Sequence, residues 1–241
     1  LTVTVFDRNK EPGGMLVMGI PSYRLARKAL KGEIDVLKKM GVKFKMNTEI
    51  GKDTTIAKLR KQGYKAFYVA IGAQKSSKLN VPGEDLTGVF GGVDFLREVN
   101  LGNKPALGKK CAVIGGGNVA MDVTRSAVRL GANTVTCVYR RRQEDMTAQA
   151  EEVEGAIAEG AEILTLQAPL KIEADETGHV AALWTQPQII GEVDKAGRPR
   201  PNTASADPIR IPADVVNVAI GQAIEYQTFE AAGIKTKWGN L

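Results

Sequence analysis

The chain has 241 residues, a formal net charge of +6, 43% hydrophobic and 25% charged residues, the proportions of one or two globular domains in water. No run approaches the roughly 18 apolar residues of a membrane helix, no signal peptide opens the chain, and aromatics are too few and basic residues too scattered for a nucleic-acid surface; the expectation is a cytoplasmic protein with neither membrane nor nucleic acid as partner. Two cysteines, Cys111 and Cys137, stand too far apart for a CxxC or a zinc ribbon, and the one histidine, His179, has no nucleophile motif beside it. Metal sites and triad hydrolysis are poor fits to that inventory.

In chain order, Val3, Val5 and Phe6 form a β-branched, apolar strand ending in Asp7 and followed by Pro12-Gly13-Gly14. Leu30, Ile34 and Leu37 keep helical spacing up to Met40, with Gly41 as a stop. Val42, Phe44 and Met46 alternate as in a strand exposed on one face, and Asp53 is placed to cap a short helix through Ile56 and Leu59. Ala66 to Ile71 reads as a further buried strand ending at Gly72-Ala73. Strand, helix, strand, helix, strand calls for a parallel sheet. Lys75 to Gly108 reads as a connector with one helix around Phe95.

The strongest signal follows, in CAVIGGGNVAMDVTRSAVRLGANTVTCVYRRR from Cys111 to Arg142. A buried strand runs into Gly115-Gly116-Gly117-Asn118-Val119-Ala120, the GxGxxA form of the dinucleotide fingerprint. Val119, Val123, Ala127 and Leu130 then mark a helix face, and Thr134 to Tyr139 supplies the next strand. Gly115 permits the tight turn, Gly117 lets the backbone approach a pyrophosphate, and Ala120 keeps helix and strand close. The diphosphate belongs at the helix N-terminus, where unpaired N–H groups and the positive end of the dipole meet it. A fingerprint flanked by both required elements is specific.

The end of the second strand selects the cofactor. An acid about 20 residues past the glycines would hold the ribose of NAD; this chain has Tyr139-Arg140-Arg141-Arg142. Arginine forks match a phosphate dianion, which favours the 2′-phosphate of NADPH, with Arg140 nearest the strand end. The alternative is a solvated or partner-facing basic loop, with Glu144 or Asp145 reaching back to a ribose.

Beyond it, a helix from about Thr147 to Glu159 and a strand near Ile163-Leu164 are expected. A meander from Leu170 to Ile190 turns at Glu176-Thr177-Gly178-His179. Gly191 to Pro212 reads as an exposed loop, and Asp214 to Gly221 as a last buried strand. The opening VTVFD has the form of the second strand of another dinucleotide unit, Asp7 standing where a ribose-binding acid belongs. Its own first strand and glycine turn, roughly 30 residues, are not in this sequence. The expected architecture is α/β: two Rossmann-like three-layer units, the first incomplete, the second inserted and complete with a β-meander. The boundaries expected are 1–107, 108–222 and 223–241.

These motifs together carry a resemblance along nearly the whole chain. PGGML with GIPSYRL (Pro12 to Leu16, Gly19 to Leu25), VAIGA (Val69 to Ala73), VPGED (Val81 to Asp85), VIGGGNVAMD (Val113 to Asp122), VYRR (Val138 to Arg141) and ADVVNVAIGQ (Ala213 to Gln222) resemble the glutamate synthase small (beta) subunit family of NADPH- and FAD-dependent oxidoreductases. The resemblance implies that NADPH passes hydride to FAD and that electrons leave singly to an iron–sulfur domain or a large catalytic subunit. It implies that Gly115 to Ala120 with Arg140 and Arg141 hold NADPH, and that Ala219, Ile220, Gly221 and Gln222 lie near its nicotinamide end. It implies that Asp7 holds the FAD ribose, that Gly13 and Gly14 approach the flavin nucleotide, that Ile50 meets the adenine, and that Ala70, Ile71, Gly72 and Ala73 lie on the flavin side of the sheet. The family's cysteine-rich domain, first FAD glycine turn and closing FAD segment have no counterpart here, so the expectation is a piece of a reductase that holds FAD weakly or not at all and does not turn over alone. The rivals are a non-catalytic nucleotide-binding domain and a module whose business is docking to a partner.

Overall fold

The computed structural model describes residues 1–105, 107–194 and 197–235. The chain forms two units, one of residues 1–75 with 222–241 and one of residues 76–221. The division falls at 75/76 rather than at the expected 107/108. The reason is packing: the connector helix buries Val93, Phe95 and Leu96 to 1% exposure within the second unit. Of the expected return segment 223–241, residues 236–241 lie outside the described residues.

In the first unit, β1 (Thr4–Phe6) is followed by α1 (Met15–Met18), α2 (Arg27–Lys39), β2 (Lys43–Lys45), α3 (Ile56–Lys61) and, at the passage out, β3 (Lys75–Ser76). β1 and β2 pair in parallel, Val5 opposite Phe44, as the strand–helix–strand pattern requires. The cap of α3 is Thr55, whose hydroxyl accepts from the Lys58 amide at 3.1 Å, and not Asp53. Asp53 instead accepts from the Glu49 amide at 2.8 Å, closing the preceding turn. The expected buried strand at Ala66 to Ile71 is not one: no strand pairs with the segment among the described residues, and Tyr68 is 94% exposed. An apolar, β-branched run becomes a strand only where a neighbour takes its backbone groups.

The second unit contains β4 (Val89–Gly91), α4 (Gly92–Asn100), β5 (Lys110–Ile114), α5 (Asn118–Arg129), β6 (Thr134–Val138), α6 (Ala150–Ala158) and β7 (Glu162–Leu164). Next come β8 (Gln167–Ala174), β9 (Val180–Val193), β10 (Pro199–Thr203), β11 (Ile209–Pro212) and β12 (Val215–Val218). β13 (Gln222–Ala223) and α7 (Gln227–Ala231) belong to the first unit. Five parallel strands stand in the order β4-β12-β5-β6-β7. Alternation along each strand separates two cores. Cys111, Val113, Val135 and Cys137 face Phe95, Val123, Ala127 and Val153 of the helices. Ala112, Ile114 and Val138 face Ile172, Val180 and Leu183 of the antiparallel strands. Helices, parallel sheet and antiparallel sheet make three layers, and each fully buried Val or Leu contributes about 1.5–3 kcal/mol.

α5 stops at Gly131 as expected, but its last residue is Arg129, one residue before the last of the expected apolar positions. Leu130 is its C-cap and 38% exposed, not part of the buried face. Gly131 takes φ +97° and the amide of Ala132 reaches back to the Ala127 carbonyl at 3.2 Å, a backbone reversal that favours glycine.

Much of the stretch expected as a loop from Gly191 to Pro212 is strand instead, residues 195 and 196 lying outside the described residues. β9 runs on to Val193, β10 pairs with it through Pro201↔Ile190 and Thr203↔Gln188, and β11 pairs with it through Ile209↔Thr185. The prolines of β10 are tolerated because that strand lies at the edge of its sheet, with a register shift between Pro199 and Pro201.

Candidate nucleotide site

β5 delivers the chain to the glycine turn at the carboxyl edge of the parallel sheet, where ligands of open α/β sheets bind. Gly115 donates its amide to the Val138 carbonyl at 3.0 Å, and its own carbonyl accepts from the Cys137 thiol at 3.3 Å. Its φ is +149°, and a β-carbon there would fall on the Ala219 carbonyl and lie 3.0 Å from the Ala120 β-carbon. A β-carbon on Gly116 would strike the ring of Tyr139. Gly117 is different: with φ −103° it would place a β-carbon no nearer than 3.4 Å to the Thr147 hydroxyl oxygen.

Gly117 is the N-cap of α5 and receives no side-chain cap. Among the described residues nothing accepts from the N–H groups of Gly116, Gly117, Asn118 or Val119. Such donors at a helix N-terminus suit an anion. Asn118 turns its side chain elsewhere, Oδ1 accepting from the Gln149 amide at 3.0 Å. Val119 is half-buried and Ala120 fully buried.

The three arginines after β6 have three different environments. Arg141 is 8% exposed, and its Nε donates to the Pro199 carbonyl at 2.8 Å, which ties β10 to the end of β6. Arg142 pairs with Glu144 at 2.7 Å and with Asp145 at 2.9 Å. Those hydrogen bonds from Arg142 hold the Asp145 carboxyl below the usual carboxylate range and occupy both acids that a ribose would need. Arg140 is exposed and, among the described residues, its guanidinium has no partner. Tyr139, which the motif alone did not single out, donates its hydroxyl to the Asp145 carbonyl at 2.9 Å. An aromatic residue at a strand end opposite a glycine is the one sequence signal that could have pointed to it.

Ala219, Ile220 and Gly221 leave β12 beside this turn. The Ala219 amide donates to the Ile114 carbonyl at 2.8 Å, Ile220 is 44% exposed, and the Gly221 carbonyl accepts from the Ser77 amide at 3.0 Å. Gln222 is exposed at the start of β13, in the first unit.

The residues expected to meet FAD lie in the first unit. Asp7 ends β1, and its Oδ1 accepts from the Asn9 amide and side chain at 2.9 and 3.0 Å. Gly14 caps α1 with open space around it, whereas a β-carbon on Gly13 would lie 2.6 Å from Val17 Cγ2. Arg27 braces the same loop through the carbonyls of Leu16 and Ile20 at 2.6 and 2.8 Å. Ile50 is half-buried and bridges Thr54 by its backbone, while Ala70 to Ala73 belong to no sheet among the described residues and Gly72 takes φ +65°. Among the described residues no group of three or more acidic, cysteine or histidine side chains could hold a metal ion, and no helix is long and apolar enough to cross a membrane.

A family model described as pyridine nucleotide-disulphide oxidoreductase matches residues 26–241. The chain belongs to that family. As a pyridine nucleotide-disulphide oxidoreductase it is 44% identical over 226 residues to the NADP(+)-dependent formate dehydrogenase subunit beta of Moorella thermoacetica, covering 92% of this chain and 32% of that one. It is 40% identical to the NADPH-Fe(3+) oxidoreductase subunit beta of Geobacter sulfurreducens, over 95% of this chain and 35% of the relative. With the glutamate synthase [NADPH] small chain of Escherichia coli it shares 35% identity, over 90% and 48%. The chain thus spans about a third to a half of the length of these relatives. Among solved structures, Mycobacterium tuberculosis FprA in complex with NADPH superimposes with a TM-score of 0.77 over 92% of this chain and 64% of its own, at 20% identity. That likeness shows the expected α/β fold.

Proposed function

We propose that this chain is the NADPH-binding part of a flavin-dependent oxidoreductase, working in the cytoplasm and passing electrons to an iron–sulfur domain or a large partner subunit. The residues present fit NADPH: among the described residues the amides of Gly116, Gly117 and Asn118 are unspent and Arg140 is unpaired, and a β-carbon on Gly117 would meet nothing nearer than the Thr147 hydroxyl oxygen at 3.4 Å. When bound, NADPH supplies a hydride and FAD accepts it. The chain's part is to hold and orient. The uncapped start of α5 would take the diphosphate, and Arg140 the 2′-phosphate. Ala219 to Gln222 would flank the nicotinamide end.

One observation carries this reading. Of three consecutive arginines two are committed to the protein itself, and Arg140, without a partner among the described residues, stands just past the end of β6, where a ribose would be recognised. The relatives support it, since their names specify NADP(+) or NADPH; their differing acceptors leave the acceptor of this protein to its partner. Titration calorimetry of Arg140→Ala tests it. NADPH affinity is expected to fall at least about ten-fold, the loss of a charge-assisted pair, with NADH affinity nearly unchanged. Equal loss for both would sink the assignment.

For FAD, Asp7, Gly13-Gly14, Ile50 and Ala70 to Ala73 are the residues on offer. The 241-residue chain by itself is expected to hold FAD weakly or not at all and not to turn over alone. Supporting this, β1 pairs only with β2 among the described residues, and Ala70 to Ala73 have no ladder. A visible spectrum taken after FAD addition and desalting is expected to show no flavin band, and a retained band would overturn the expectation.

A further inference from the structure

The glycine turn does not set its own geometry. All described peptide bonds are trans, so within each peptide plane the C=O and the next N–H point in opposite directions. The Gly115 carbonyl is drawn inward by the Cys137 thiol, which turns the Gly116 N–H outward. The Gly116 carbonyl is taken by the amides of Thr147 and Ala148 at 3.0 and 3.1 Å, which turns the Gly117 N–H away from that segment. Asn118 Oδ1 receives the next amide, Gln149, at 3.0 Å.

The segment that supplies these three amides begins at Tyr139. Its ring lies against Gly116 and its hydroxyl holds the Asp145 carbonyl. Arg142 and Asp145 lock the intervening turn by two side-chain hydrogen bonds, at 2.9 and 3.0 Å. Residues 139–149 are therefore a strap fastened to the glycine turn at both ends, and Arg140 is mounted on it.

We propose that Asn118 and Tyr139 are positioning residues which, through this strap, fix the span between Arg140 and the Gly116–Gly117 amides and so set the preference for a 2′-phosphorylated dinucleotide. The proposal rests on the reading that Arg140 binds the 2′-phosphate. A ligand gripped at two points gains the second contact in full only if the separation is set beforehand; otherwise ordering the second group offsets the gain. A dinucleotide without the 2′-phosphate uses one grip, and its binding is less sensitive to the strap.

The test is calorimetric titration of NADPH and NADH into the full chain, for wild type, Asn118→Ala, Tyr139→Phe, Arg140→Ala and the double variants with Arg140→Ala. Asn118→Ala is expected to weaken NADPH by about ten-fold and NADH by no more than about three-fold, a loss of preorganisation felt by the two-point ligand. Tyr139→Phe keeps the ring on Gly116 and shifts the same ratio in the same direction, so it stands in should Asn118→Ala fail to fold. In the Arg140→Ala background the losses on NADPH should shrink to those on NADH, because coupled residues are not additive. A merely structural role weakens both nucleotides by one factor and adds to Arg140→Ala; that result overturns the proposal. If Arg140→Ala discriminates and the strap variants do not, the strap alone is wrong. If wild type binds neither nucleotide, or Arg140→Ala does not discriminate, the functional reading fails and the strap with it.

Discussion

Gly115 and Ala219 stand so close that a β-carbon on the glycine would land on the alanine's carbonyl oxygen. That contact joins the first glycine of the turn to the strand returning from the antiparallel layer. The demand for glycine at 115 therefore comes from the protein. At Gly117 no protein atom makes that demand.

The two glycines should respond differently to alanine. Gly115→Ala is expected to lower unfolding free energy by about 2–4 kcal/mol, through overpacking and a disfavoured φ. Gly117→Ala is expected to leave stability within about 0.5 kcal/mol of wild type while weakening NADPH, where a methyl meets the ligand. Urea unfolding and titration of both variants check this, and a Gly117→Ala chain that binds as wild type would mean the diphosphate sits elsewhere.

Asn217 lies fully buried in β12, its Nδ2 donating to the Cys111 sulfur at 3.3 Å and its Oδ1 without a hydrogen-bond partner among the described residues. A buried unsatisfied acceptor costs about 1–3 kcal/mol. Asn217→Val, which suits a central parallel strand, should raise stability by about 1–2 kcal/mol. An unchanged denaturation midpoint would show that the oxygen is satisfied in solution.

Burial pushes the Cys137 thiol up to about 12 and the Cys111 thiol up to about 11. Thiolate is the reactive form, so neither thiol should react with a chromogenic disulfide reagent at pH 8 in the folded chain. Both should react once guanidinium unfolds it. One fast equivalent in the native protein would contradict the buried placement.

Glu159 joins α5 to α6 through Arg129 at 2.7 Å and Arg125 at 2.6 Å. The Arg129 hydrogen bond, then that from Arg125, holds its carboxyl at about 2 against an ordinary 4.5. A carboxylate lowered on folding contributes its full stability above the unfolded value and loses it as pH falls toward the folded one. Glu159→Gln should therefore cost about 1–2 kcal/mol at pH 7, discounted for the half-exposed Arg129. The gap to wild type should narrow as pH drops from 4.5 toward 2. Denaturation at pH 7 and pH 3.5 compares the two, and a constant gap would mean that the charge plays no part.

Periodicity and punctuation made much of the fold legible. The strand–glycine–helix–strand run from Cys111 to Val138 stands as its spacing demands, because both its periods and its turn are local properties. Leu130 lies one residue past the end of α5 and Asp53 two residues before the true cap of α3, shifts that spacing does not resolve because neighbouring residues can serve as caps. The edge strand β10 was hidden by its prolines, which argue against a strand everywhere except at a sheet's edge. Ala66 to Ile71 was overread for the opposite reason, since a strand-like composition carries no information about a hydrogen-bonding neighbour.

The sequence by itself determined the dinucleotide signature, the parallel βαβ unit and the kinship with NADPH-linked oxidoreductases, since glycine spacing and apolar period are written in consecutive residues. Only the tertiary structure decided which arginine is free, which glycine is spent on the protein rather than offered to a ligand, and what pins the turn's peptide planes. Those answers depend on Pro199, Asp145, Thr147 and Ala219, which reach the turn or its arginines only when the chain folds back, and side-chain contacts of that kind leave no periodic trace.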